Sequence, residues 1–365
     1  MKTATEQINH LITLTQHQNQ NYRNNVSAQY QRKLVLLLRA IRDIIRTNYD
    51  LEDNIAKYQL QKLINAELKS GLEKIKKELD TELNKFMSMN NKLYTDQLTA
   101  VFQPVEKYVK IKETKDTDII SGYNKDPMTF DTSGVHTVSS LWSTFTSRLN
   151  TIIKQTVNQA YVLEESERDF ESNIYGITAN TNVSKGQLDA VIGTFVAFGF
   201  SKVLETVNKN NMGTITGYQW ISVLDNATSD TCLDLSDRVF YYNYPEKSTL
   251  PYEIYPPAHH RCRSTTGAIT ATYQELGINP EDLTQQQREL LGKPDLTPFS
   301  YQQFVDNQPV AVQKEILGEV RYSMWKSGEI QLSQFYTRDG RKYSLAELQR
   351  RGYSVSEQYL HYIRS

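Results

Sequence analysis

Leu68, Leu72, Ile75, Leu79, Leu83 and Phe86 follow one another at steps of four, three, four, four and three residues. Only an α-helix brings such positions onto one face, because its 3.6-residue turn returns to the same side every third or fourth residue. Lys and Glu fill the other faces, as in "LEKIKKELDTELNK", and read as solvated surface without chemistry. A second stripe precedes it, formed by Leu34, Leu37, Leu38, Ile41, Ile44 and Ile45. Apolar stripes of this length must be covered by a bundle or by a partner helix. For a lone chain they are long, so the N-terminal helices are expected to be its main docking surface.

The organisation that follows is α+β: a long helical N-terminal half, then a small mixed module of short strands and helices. Region 1–110 is amphipathic and helical, although its first 30 residues ("QHQNQNYRNN" among them) hold few apolar anchors and read as a mobile arm or frayed helix. Residues 111–135 carry Gly, Pro, Asp and Thr without a sustained period and read as a long loop or linker. Helical spacing returns over 136–210, with Leu141, Phe145, Leu149, Ile152, Ile153 and Val157, then from Leu188 to Val207. The character changes over 211–275. "GYQWISVL", "RVFYYNY" and "CRSTTGAIT" are short runs rich in β-branched and aromatic residues, and each is read as a strand. Region 276–365 is a helical tail. A helix is expected to start at Thr297–Pro298, another to end at Gly318, "TRDGRK" to form a tight turn, and Ser344 with Glu347 to form a capping box.

Composition removes several function classes. The formal net charge of −1 gives no bulk attraction to nucleic acid or to an anionic membrane. No run approaches the ~18 apolar residues of a membrane span, and the first 20 residues lack the apolar segment of a signal peptide. Two cysteines are too few for a disulfide scaffold, so the chain is expected to be soluble and made in a reducing cytosol. With mean hydropathy −0.56 and 23 tyrosines against 12 phenylalanines, it leans towards half-buried contact surfaces, which suit an assembly component.

The densest chemistry lies in "PPAHHRCRS", residues 256–264. His259 and Cys262 have His-x-x-Cys spacing, and Cys232 lies in the turn "TSDTC". Thiolate and imidazole are ligands zinc prefers, so these three could be metal ligands, with His260, Asp225 or Asp230 as a fourth. Two alternatives stand beside this: one disulfide, or two cysteines packed as small hydrophobes. Arg261 and Arg263 could bind phosphate or carboxylate, or be surface charge. The His-x-Glu and Pro-Cys-x-x-Cys pattern of zinc deaminases is absent, as are His-Glu-x-x-His, the Gly-x-x-x-x-Gly-Lys phosphate loop and the dinucleotide fingerprint. No catalytic residue is assigned.

"GYQWISVLDNATSDTCLDLSDRVF" followed by "PPAHHRCRS" resembles the Mu F-like phage head morphogenesis family of minor capsid proteins. The matching residues are Asp225, Thr228, Ser229, Cys232, Pro256, Pro257, His259, Cys262 and Arg263, and the likeness is densest over about 185–275. Two features depart from the pattern. Ser236 and Asp237 stand where the family often has Gly, and Ser264 stands where many relatives carry another cysteine. The resemblance implies a minor head protein of the virion that acts in procapsid assembly near the portal and in genome delivery. Its partners would be the portal protein, other head proteins and packaged DNA. Its place would be the capsid interior or portal vertex, after assembly in the host cytoplasm. The alternative function is a metal-dependent hydrolase or nuclease delivered with the phage genome.

Overall fold

The structure, a computed structural model, describes residues 2–50, 54–130, 133–179, 182–223, 228–250, 252–296, 305–335 and 343–353. The expected helix start at Thr297–Pro298, the turn "TRDGRK" and Asp225 lie outside them.

Two long helices dominate, α1 (Ala4–Asn48) and α2 (Asn54–Phe102). At 1.5 Å per residue each is about 70 Å long. They run in opposite directions. The Thr15 hydroxyl accepts from Gln97, the Asn19 amide reaches Asn90, Tyr22 stacks on Phe86, and Lys33 pairs with Glu78. The stripe read from sequence lies between these helices and their neighbours: Leu79 is 0 % exposed, and Leu72 and Ile75 are 5 %. The chain therefore covers its own apolar stripe. The expectation that Leu72, Ile75 and Leu79 dock a partner is corrected, because α6 (Asn182–Asn210) and α4 (Val138–Val162) complete the bundle that buries them.

Helix α1 also corrects the reading of residues 1–30 as a mobile arm. It begins in a capping box, with Thr3 and Glu6 satisfying each other's backbone. Along it Asn9, Thr13, Gln16, His17, Asn19 and Arg23 are buried. These side chains do not anchor by apolar area; three of them, Gln16, His17 and Asn19, bond to chain segments far away in sequence, which composition does not reveal.

The stretch 111–135 is likewise more than a linker. It contains α3 (Asp116–Lys125), with Ile119 and Tyr123 buried, and a two-stranded antiparallel ladder of β1 (Met128–Phe130) and β2 (Gly134–His136). Elements this short leave no readable period. Helices α4, α5 (Glu167–Ala179) and α6 follow. Within α6, Lys185–Asn210 is long and apolar enough by composition to cross a membrane, although polar residues such as Thr194, Ser201 and Lys202 interrupt its apolar run. Of that window 78 % is buried inside the fold, as befits the central helix of a bundle.

The small sheet has the order β4-β3-β5, all antiparallel, from β3 (Ile215–Ile221), β4 (Val239–Tyr241) and β5 (Thr265–Thr270). It leans on α1: the Thr5 hydroxyl accepts from Thr270 N at 2.9 Å. The approach is close. A Cβ on Gly267 would stand 2.6 Å from Asn9 Oδ1, so only glycine lets helix and strand meet there. Ile215 and Ala268 belong to the same continuous core as the helices. The tail builds a second core around Ile316, Leu317, Met324, Phe335 and Leu348, with Leu14 of α1 packed against it. Gly318 ends the helix Val310–Leu317 at φ 79°, and Ser344 caps the helix Leu345–Arg350 with Glu347 as its capping-box partner.

Two outcomes are expected. Leu79→Ala should cost about 2–5 kcal/mol, the range for a fully enclosed leucine, read from the urea unfolding midpoint of the full chain. Ser344→Ala should cost about 0.5–2 kcal/mol locally, read as faster amide exchange over 345–350 with the rest of the chain unchanged.

Candidate functional site

The site forms where the end of β3, the short helix α7 (Asp230–Leu235) and the loop before β5 meet. Ser229 is the N-cap of α7, its hydroxyl accepting from Cys232 N at 3.2 Å. That cap points the Cys232 side chain back towards the sheet. The Thr228 hydroxyl donates to Val223 O. Ser222 then clamps helix to strand. Its hydroxyl accepts from Trp220 Nε1 at 3.1 Å and donates to Cys232 O at 2.6 Å.

The opposing loop is fixed on several sides. Tyr218 donates to Ile254 O at 2.7 Å, accepts from Ile254 N at 3.0 Å, and stacks on Tyr255. The Pro256–Pro257 peptide is cis, and Arg261 adopts φ 60°. Arg261 N bonds the Thr194 hydroxyl, and its guanidinium reaches Gly186 O and Asp189, all on α6. Arg263 O accepts from the Gln16 amide of α1 at 3.0 Å. Both arginines are thus structural in position, and Arg263 is only 7 % exposed, unlike a surface charge.

Between these supports Cys232, His259 and Cys262 converge. Cys232 Sγ lies 3.2 Å from His259 Nε2 and 3.6 Å from Cys262 Sγ. All three ligand atoms fall within 4.8 Å of one another. Both cysteines are buried and free. His259 Nδ1 faces His260 O at 2.8 Å; donation there requires the proton on Nδ1 and leaves the Nε2 lone pair aimed at the sulfurs. The thiols share a proton unequally. A hydrogen bond from Cys232, helped by His259, holds Cys262 well below the usual thiol range, while the same bond and burial push Cys232 up.

This donor set could hold zinc. With zinc–sulfur at ≈ 2.3 Å and zinc–nitrogen at ≈ 2.0–2.1 Å, a tetrahedral ion would place its ligands about 3.5–3.8 Å apart. The Cys232 spacings to His259 and Cys262, 3.2 and 3.6 Å, lie within a few tenths of an ångström of that range, and the third pair falls within 4.8 Å. Of the residues proposed from sequence for a fourth position, Asp225 lies outside the described residues, and His260 and Asp230 do not join the cluster. His260 turns away onto Phe130, ring centroids 4.9 Å apart, and the exposed Asp230 lies outside the cluster. The Ser264 hydroxyl stands near Cys232: it lies 3.3 Å from Ser222 Oγ, the group that donates to Cys232 O.

The departures from the family pattern acquire a geometry here. Ser264 sits at the cluster, where an additional cysteine would also face it. Asp237 adopts φ 63°, the left-handed region that glycine enters freely and aspartate tolerates. Sequence reasoning missed Ser222, Gln16 and Arg23. Nothing marks Gln16 and Arg23 within a polar N-terminal run, whereas Ser222 interrupts an apolar strand. A comparison with known protein families, curated proteins and solved structures found no match.

Ser222→Ala would strand the Trp220 indole N–H and one acceptor in a dry interior. The expected loss is about 1–3 kcal/mol of stability, measured by urea unfolding followed through tryptophan fluorescence. A variant as stable as the parent would remove Ser222 from the clamp.

Proposed function

We propose that this chain is a minor head protein of a tailed phage, built into the procapsid near the portal vertex and carried towards genome delivery. Its small module would be pinned by a structural zinc ion on Cys232, His259 and Cys262. The observation that carries the reading is this convergence: Cys232 from the first half of the Mu F-like motif and His259 and Cys262 from the second, 27 or more residues further along the chain, bring their ligand atoms within 4.8 Å of one another. Helices of about 70 Å support it further, since they suit a rigid spacer inside a shell. A buried cluster with two cysteines under 4 % exposed suits a structural ion better than a substrate.

Docking would then fall on side chains the bundle leaves uncovered. Ile55 and Tyr58 at the start of α2 are 66 % and 70 % exposed, and Val162 and Leu163 at the end of α4 are 76 % and 61 %. The two helix ends adjoin, with Gln61 bonded to Asn158 and Lys57 over the Tyr161 ring. A portal or neighbouring head protein is the partner proposed for this apolar end.

Two measurements test the reading. Purified chain should contain about one zinc per molecule by elemental analysis, and Cys262→Ser should lose both the zinc and several degrees of thermal midpoint. The double variant Ile55→Asp, Val162→Asp should keep its midpoint yet be depleted from assembled particles. Normal particle content with normal infectivity would contradict the docking role. Hydrolysis of plasmid DNA that vanishes in the Cys262→Ser variant would put the metal-dependent nuclease in its place.

A further inference from the structure

Arg23 of α1 is 7 % exposed, and its Nε finds no hydrogen-bond partner among the described residues. The guanidinium lies flat on α6 where Gly193 makes room for it; a Cβ there would stand 2.4 Å from Nε. The carboxylate whose charge favours Arg23 is Asp189. That group is already engaged, with Oδ1 accepting from Ser27 at 2.6 Å and Oδ2 lying 3.0 Å from Arg261. Burial pulls Arg23 down to about 10; Arg261 and Arg263 add like charges nearby, and Cys262 adds a smaller favourable one. A buried guanidinium without its own counter-ion is costly.

Arg23 borders a small cleft, with Gln16, Asn19, Gln20, Cys262 and Arg263 also on its wall. Its inner part has room for on the order of one water-sized particle. We propose that this cleft binds one small inorganic anion of about chloride size, held by the Arg23 guanidinium and the amide groups around it. The anion would supply the counter-charge that Asp189 cannot, at the junction of α1, α6 and the loop bearing Cys262. This goes beyond the proposed function and does not depend on it.

The test uses the full chain in potassium chloride, with gluconate replacing chloride at fixed ionic strength. Above half-saturation the thermal midpoint should rise by about 2 °C per tenfold increase in chloride, as expected for a ligand that binds only the folded state of a chain this long. Arg23→Met keeps the apolar stem and should abolish the rise. No chloride-dependent rise in the parent, or an equal rise in the variant, would overturn the site. Should Arg23→Met fail to fold, crystals of the parent grown in bromide decide the matter. An anomalous peak within hydrogen-bond reach of Arg23 supports the proposal, and a cleft without one overturns it.

Discussion

An amide or hydroxyl taken out of water without a partner costs roughly 2–7 kcal/mol, and α1 carries such groups into the interior along its first six turns. They are tolerable there because their partners belong to different parts of the chain. Thr5 meets Thr270 of the sheet, Gln16 meets Arg263 O of the motif loop, His17 meets Ile316 O of the tail, Asn19 meets Asn90 of α2, and Ser27 meets Asp189 of α6. Each bond fixes a register as well as a contact, since a rotation of α1 by one residue would bury these groups unpaired. The helix thus sets where the sheet, the loop, the tail and the bundle stand relative to one another.

That arrangement explains which features were legible in the sequence. Leu34, Leu38 and Ile41, or Leu72 and Leu79, announce a helix face because apolar burial follows the local period whatever covers it. The same period is silent about the covering element. A stripe buried by a partner and a stripe buried by α6 have identical spacing, so Leu72, Ile75 and Leu79 were readable as core and misread as interface. Gln16 and Arg23 were not readable at all: their burial rests on groups 247 residues away, or on the gap left by Gly193. The α+β class, the three strands and the Ser344 cap rest on local chemistry and stood in plain view.

The candidate site was legible for a different reason. Cysteine and histidine are scarce here, and their order along two turns brought Cys232, His259 and Cys262 under one reading. What the order of residues left open was the support. Ser222, Tyr218 and the φ 60° turn at Arg261 hold the two halves close together, and neither His260 nor Asp230 joins the cluster. A fourth ligand is decided by where a backbone turns, and Phe130 turning His260 aside is a contact across 130 residues.

A three-stranded sheet with one strand of three residues is near the lower limit of what can stand alone. Its two faces are completed in two ways. Helix α1 covers one side so closely that Gly267 must lack a side chain. On the other, aromatic packing of Tyr218, Phe240 and Tyr255 gives way to the thiol–imidazole cluster. Apolar packing alone tolerates sliding, whereas ligand atoms held to one point do not. The proposed zinc on Cys232, His259 and Cys262 would therefore fix the loop, which holds Arg261 against Thr194, Gly186 and Asp189 of the central helix. Through these bonds the geometry of the small module is tied to that of the bundle, so the motif residues act on the position of a helix that runs through the core of the whole chain.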